Sequence, residues 1–408
     1  MKVLYIIPYD WGGLPHYTSE LANAVSKYEG VVVLGSKGIK TDYFSDDVEL
    51  IKIFDKLSFS VKDLKKAFSL NGLFGFLSFK EIKLIDDIRP DIIHFTTPLF
   101  PTIPIFMRLY GLDSRYPMAH TKHHLRLLSG LCLESFAEVA VNFFEGLITC
   151  DKIIVHTQND KMEWIKTGKF GEDRVVVIPH GIYDLFKTYG QEELPGGSPP
   201  VEMCILFFGY IKKYKGLEYL LRAIPLINRE VSGVKTIIAG EGDLSPYQDL
   251  IRSCDDSTLD IHNEYLSDEQ VSALFQRATL VVLPYTSMSG ESGVLNIAYA
   301  FGKPVVSSNV EGFSEVLKDK ETGSLVPPKD PSSLAQAIIQ LLKNDDLRNE
   351  MRKNIHKMRQ ELSWDAIAKR HIDVYKEIIQ SHNQNLHLAD METKDISGDA
   401  HERFEGSK

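Results

Sequence analysis

Apolar positions in the first half of the chain fall in short runs of β-branched and aliphatic residues, separated by stretches with helical spacing. The runs are Val3 to Ile7, Val31 to Leu34, Asp91 to Phe95, Lys152 to His156 and Val175 to Ile178. Strands that alternate with helices predict βαβ units and a parallel sheet. The rhythm stops between Gln191 and Pro200, where Pro195, Gly196, Gly197, Pro199 and Pro200 suit neither helix nor strand. A second series starts at Cys204 to Phe208 and runs through Lys235 to Ala239, Thr279 to Leu283 and Pro304 to Ser307. The pattern thus predicts an α/β domain over 1–190, a linker over 191–200 and a second α/β domain over 201–362. Ser363 suits an N-cap, and Trp364, Ile367, Ile372, Tyr375 and Ile378 have helical spacing, which predicts a closing helix over 363–381. Residues 382–408 are polar and aperiodic and read as a disordered tail.

A length of 408 residues agrees with two domains, and 43% hydrophobic with 25% charged residues is a globular composition. A net charge of −10 lacks the positive field that nucleic-acid binding needs. The N-terminal apolar run is ended by Pro8 and Asp10 and reads as a first strand rather than a secretion signal, which places the protein in the cytoplasm. The longest oily stretch, Leu125 to Ile148, contains Arg126, Glu134, Glu138 and Glu145 and predicts a buried helix, not a bilayer span. Cys132, Cys150, Cys204 and Cys254 are too scattered for a metal cluster and read as reduced thiols.

Three strand-to-helix turns are candidates for chemistry. Gly12 and Gly13 lie between the first strand and a helix; glycines there let backbone amides approach a ligand, although a plain tight turn has the same signature. Gly209 to Gly216 holds Lys212, Lys213 and Lys215, ammonium groups suited to a diphosphate, although a solvated basic loop is the commoner reading of such lysines. Ser289 to Leu295 precedes an apolar helix; the open amides at Ser292, Gly293 and Val294 can seat an anion, and a plain Ser cap is the alternative. Glu291 is placed to meet sugar hydroxyls or to stay solvated. Among the histidines His94, His120, His123, His124, His156 and His180, the pair His120 and His124 has metal-like spacing, but no acidic partner is evident and no metal is expected.

These segments in this order resemble the GT-B glycosyltransferases, specifically the large retaining family numbered four. Further matching segments are Asp91-Ile92-Ile93-His94, Thr121-Lys122-His123, Val177-Ile178-Pro179-His180-Gly181, Ala239-Gly240-Glu241-Gly242, Phe301-Gly302-Lys303-Pro304-Val305-Val306, Gly312-Phe313-Ser314-Glu315-Val316 and Thr322-Gly323-Ser324-Leu325-Val326. The resemblance covers residues 1 to 380 and implies two Rossmann-like domains closing over a nucleotide sugar. It implies that Gly12 and Gly13 lie by the donor phosphate or acceptor, that His123 sits at the reacting sugar with His124 as a neighbour, and that Lys215 binds donor phosphate. Where the family has Arg after the first glycine of the basic loop, this chain has Tyr210, and Lys212 is the candidate to replace that charge. The family's paired glutamates, separated by seven residues, are not reproduced: Gly302-Lys303-Pro304 aligns them with Ser289 and Ile297, and counting from Glu291 reaches Tyr299. The chain resembles a branch with Ser-Gly-Val before an Ala-Tyr-Ala-Phe-Gly helix.

The resemblance implies retaining, metal-independent transfer of a hexose from a nucleotide-sugar donor to a glycan or lipid-linked acceptor, with no cofactor. Ile297 motivates an alternative, a catalytically silent subunit that binds nucleotide sugar. The segment Leu57 to Leu84 interleaves Lys62, Lys65, Lys66, Lys80 and Lys83 with Phe59, Phe68, Phe74, Phe76 and Phe79. That pattern suits peripheral contact with the inner face of an anionic membrane, or a lid or buried helix.

Overall fold

The computed structural model describes residues 1–55, 78–100, 102–123, 146–189, 203–288, 291–317 and 321–405. The expected linker, the segment Leu125 to Glu145, His124 and most of the Leu57 to Leu84 segment fall outside these residues. Phe79, counted above as a membrane-facing aromatic, is fully buried and stacks between Phe54 and Phe100 in the core.

The first sheet has seven parallel strands: β1 (Lys2–Ile7), β2 (Gly30–Ser36), β3 (Val48–Phe54), β4 (Ile92–Phe95), β5 (Met118–Thr121), β6 (Lys152–Val155) and β7 (Val175–Val177), in the order β3-β2-β1-β4-β5-β6-β7. The second has six: β8 (Met203–Phe208), β9 (Val234–Ala239), β10 (Leu259–His262), β11 (Leu280–Leu283), β12 (Val305–Ser308) and β13 (Gly323–Val326), in the order β10-β9-β8-β11-β12-β13. Parallel strands need crossovers, and the crossovers bury both faces, so the central strands are continuous apolar runs. Leu4, Tyr5 and Ile6 in β1 and Ile205, Leu206 and Phe207 in β8 are all fully buried.

Each sheet reverses its winding beside its first strand. Val3 of β1 pairs with Val31 of β2 on one side and Ile92 of β4 on the other, while β8 lies between β9 and β11. In doubly wound sheets the crevice at the carboxyl ends of such strands is where ligands sit.

Among the described residues the apolar core has three parts. Two cover the outer faces of the sheets, one around Leu4, Ile93 and Phe95 and the other around Ile205, Phe207 and Ile224. The third unites the inner faces of both domains through Tyr17, Tyr183, Leu295 and Trp364. The C-terminal helix Trp364–Glu405 leaves the second domain and returns to the first, where it packs on the helix α1 (Leu14–Ser26). Its start is capped by Ser363 Oγ, which accepts from the Ala366 N–H at 3.3 Å, and its predicted inner face (Trp364, Ile367, Ile372, Tyr375, Ile378) is buried. The helix does not stop near Ser381; the stretch read as a disordered tail is helical as far as Glu405. That stretch has no proline and only Gly398 as a poor helix former, so nothing local ends the helix once packing has started it.

Candidate functional site

The loops that leave the two reversal points converge. After β1 come Gly12, Gly13 and the start of α1; after β8 come Gly209 to Gly216; after β11 come Tyr285 and the helix Gly293–Ala300.

Lys215 is the charged centre of this cluster. Its side chain is buried and its Nζ donates to Tyr285 Oη at 2.8 Å, lying 4.9 Å from the centre of the Tyr285 ring. Among the described residues it has no carboxylate partner, and burial pulls the ammonium pKa downward. An unpaired ammonium out of water is costly, so this position suits a bound anion. Gly209, at φ +109°, leaves it room: a Cβ there would lie 2.8 Å from Lys215 Nζ and 3.6 Å from Val294 Cγ2. Lys215 and the start of the Gly293–Ala300 helix therefore border one space, as the anion reading requires. Lys212 and Lys213 are exposed, and the structure leaves Lys212 outside the buried cluster.

The helix Gly293–Ala300 starts at Ser292, whose side chain makes no capping bond. Its ladder begins with the Leu295 N–H donating to Ser292 C=O at 2.9 Å, so the Gly293 and Val294 amides precede the first bond and point out of the open end. Glu291 is buried beside them, and its Oε2 accepts the His180 N–H at 3.3 Å. Burial pushes this carboxyl up to about 8, against the pull of that N–H. It is accordingly protonated at neutral pH, which removes a negative charge from the anion seat.

Tyr183 ties the two domains together here. Its Oη lies 3.2 Å from Gly13 C=O and 3.2 Å from His180 Nε2, and its ring edge would touch a Cβ on Gly293 at 3.5 Å. Gly12, at φ +70°, has open space where a Cβ would stand. The glycine loop of the first domain thus faces the helix start of the second across a single tyrosine ring.

The histidines divide by environment. His94 is fully buried, with Nδ1 2.6 Å from Tyr375 Oη and Nε2 2.8 Å from Thr121 Oγ1. His120 is buried with Nε2 on Thr97 C=O at 3.0 Å. Burial holds both well below the usual imidazole range and brings His180 down to about 3, so all three are neutral. His123 is partly exposed and packs edge-on against Tyr17, with ring centres 4.5 Å apart. His156 stands behind it, Nε2 to His123 Nδ1 at 3.0 Å. Among the described residues no group of three or more His, Cys, Asp or Glu is placed to hold a metal.

Sequence reasoning missed several residues. Tyr285 lies two residues past the run read over Thr279 to Leu283, and Tyr183 three residues past His180; nothing in the sequence marked either side chain. Asp268 was invisible: it accepts from His16 Nε2 (3.1 Å), Lys40 Nζ (2.8 Å) and Tyr43 Oη (2.7 Å), a buried tie between domains.

Comparison with known proteins agrees with this geometry. Residues 11–184 match the family described as Glycosyltransferase Family 4, and residues 195–358 match Glycosyl transferases group 1. An uncharacterized glycosyltransferase of Methanocaldococcus jannaschii is 31% identical over 276 residues, covering 64% of this chain and 70% of that protein. The O-antigen chain mannosyltransferase C of Escherichia coli is 26% identical over 403 residues, 93% of this chain and 100% of that one. The same architecture is found in an Anabaena protein solved in complex with UDP-glucose, with TM-score 0.64 and 16% identity over 92% of this chain and 100% of that chain. Matched in both halves and folded as two facing Rossmann-like sheets with a returning C-terminal helix, the chain belongs to the group 1, family 4 glycosyltransferases of GT-B fold.

Proposed function

We propose that the enzyme transfers a hexose from a nucleoside-diphosphate sugar to a glycan or lipid-linked acceptor, with retention at the anomeric carbon and without a metal. The observation that carries this reading is the buried Lys215 ammonium, unpaired by any described carboxylate and sharing a space with the open end of the Gly293–Ala300 helix. The diphosphate of the donor fits there, its charge met by Lys215 and by the Gly293 and Val294 amides, with Ser292 lining the turn. Gly12 and Gly13 face this seat from the first domain and admit the donor or acceptor without a side chain in the way. The protonated Glu291 is placed to donate to a sugar hydroxyl. Exposed Lys212 is left to interact with the nucleotide's outer edge.

In the reaction the bond from the anomeric carbon to the phosphate oxygen breaks and its electron pair leaves with the nucleoside diphosphate. The acceptor oxygen bonds to the same face of that carbon and its proton passes to the departing phosphate oxygen. The protein's part is to stabilise the developing charge and hold the two substrates close. The Escherichia coli relative's name, an O-antigen chain mannosyltransferase, favours a glycan acceptor and makes mannose the first sugar to test.

Thermal shift against a panel including GDP-mannose and UDP-glucose identifies the donor by mass action. NMR of the glycoside formed from that donor then reads the anomeric configuration. Transfer that inverts the centre, or that stops on adding a chelator, refutes the mechanism; tight donor binding with neither transfer nor hydrolysis supports the silent-subunit alternative instead.

A further inference from the structure

His123 and His156 pose a problem of proton counting. His123 Nε2 lies 2.8 Å from Thr96 C=O, His156 Nδ1 lies 3.0 Å from Ile178 C=O, and the remaining nitrogens, His156 Nε2 and His123 Nδ1, face each other at 3.0 Å. A carbonyl oxygen only accepts, so each of the first two contacts needs an N–H on the ring. The third needs a proton between the nitrogens. A neutral imidazole has one N–H, so two neutral rings supply two protons for three contacts. Either one of the three contacts sets a ring lone pair against another lone pair, or the pair holds a third proton.

We propose that His123 and His156 share one proton and form a single-charge cationic dyad on the first-domain wall of the donor site, with His156 the positioning residue for His123. This rests on the diphosphate reading above. Both nitrogens of each ring are engaged, so the dyad contributes charge and not a hydrogen bond to the ligand. That role differs from direct contact of an imidazole nitrogen with the sugar. The charge is close to the seat: His156 and His180 have ring centres 5.1 Å apart, and His180 bonds Tyr183, which touches Gly13 and borders Gly293.

Among the described residues the neighbours of the dyad are mostly neutral rings, with one carboxylate. From α1 comes the Tyr17 phenol, kept un-ionised by burial; from β4 and β5 come His94 and His120, both neutral. Lys122 neighbours His123, but its Nζ turns to the Trp164 ring at 5.5 Å. On the loop after β7 stands neutral His180, and across it the buried Glu291 carboxyl. Asp160, four residues on from His156, is a buried carboxylate whose Oδ2 accepts the Thr157 hydroxyl at 2.7 Å, while its own N–H donates to Thr157 Oγ1 at 3.0 Å. The third proton thus belongs to the dyad as a coupled unit, with one apparent midpoint for the pair.

Histidine-selective ¹⁵N NMR of the full, ligand-free chain between pH 5.5 and 9 tests this. At the acidic end we expect three ring protons on the two rings, and a loss of one of them as pH rises through a single midpoint. Inorganic pyrophosphate, which probes the seat without any choice of base or sugar, is expected to raise that midpoint by about one pH unit, which by linkage equals about tenfold tighter binding to the protonated dyad. In His156→Gln the ¹⁵N midpoint disappears and pyrophosphate binding loses the pH step seen in the wild type. Two neutral rings throughout pH 5.5–7, or a midpoint that saturating pyrophosphate leaves in place, overturns the proposal. The wild-type titration alone decides if the variant does not fold. Because no turnover is measured, an enzyme that failed to transfer sugar from any donor would end the functional reading and leave the dyad intact.

Discussion

Asp268→Asn is the sharpest test of how the two domains are held. The carboxylate is buried at the start of the helix Asp268–Arg277, and all three of its partners, His16, Lys40 and Tyr43, come from the first domain. Burial alone would raise its pKa, but the three donors outweigh it and hold the group well below the usual carboxylate range. A hydrogen bond to a charged group contributes about 1.5–3 kcal/mol. The Lys40 side chain is half exposed, so its share falls to about 0–1 kcal/mol. Asparagine keeps one acceptor oxygen and loses the charge, so the expected loss is roughly 2–4 kcal/mol, or about 30- to 1000-fold in the equilibrium between apposed and parted domains. Hydrogen exchange on peptides covering residues 14–26 and 267–277 reads that change even when the parted state stays minor. Because the folded pKa is depressed, the stabilisation is complete above the unfolded value near 3.9 and is lost only as pH falls below it. Unchanged protection of both peptides in Asp268→Asn at pH 7 refutes the account.

Three further outcomes are expected. Lys215→Met should cut kcat by about 10²–10³, the usual effect of losing one donor to developing charge, while leaving the melting temperature unchanged or higher because a desolvated ammonium is gone; equal turnover removes Lys215 from the chemistry. Glu291→Gln should remove a destabilisation that the wild type acquires as pH rises from the unfolded carboxyl value toward about 8, since the folded state binds that proton more tightly; parallel melting-temperature curves for the two proteins across pH 5–9 would show that Glu291 does not titrate this way. Gly181→Ala puts a Cβ 2.5 Å from the Trp364 indole and should cost about 1–3 kcal/mol by overpacking, visible as a lowered urea midpoint.

How much of this was legible in the sequence depends on what each residue's environment is made of. The central strands were, because burial on both faces forces continuous apolar runs such as Cys204 to Phe208. The strands β3, β5, β10 and β13 were not among the runs read as strands: β10 (Leu259–His262) and β13 (Gly323–Val326) are half-polar edge strands, and β5 hides His120 and Thr121 in the core by bonding them to Thr97 C=O and His94. Lys215 was legible as a candidate because a strand, a glycine turn and a helix place it at the end of β8. Nothing in the spacing separated it from Lys212, which has the same chemistry and stays exposed; only the space above Gly209 decides between them. Asp268 could not have been found, since its partners lie 252, 228 and 225 residues away.

The electrostatic logic of the site follows from burial acting on each group in turn. On the proposed function a chain with net charge −10 admits a diphosphate, which asks the cleft to suppress negative charge locally. Burial does this for Glu291 by favouring the neutral carboxyl, and the same burial neutralises His94, His120 and His180 by favouring the uncharged ring. Of these groups Glu291 and, through Tyr183, His180 adjoin the start of the Gly293–Ala300 helix. Lys215 is also disfavoured as a cation by burial, and its Nζ, bonded to Tyr285 Oη with no carboxylate partner among the described residues, borders the same space as the open helix amides. An ammonium in a dry cleft acts at low dielectric, so on the proposed function Lys215 is expected to hold a phosphate more strongly than the exposed lysines of the same loop.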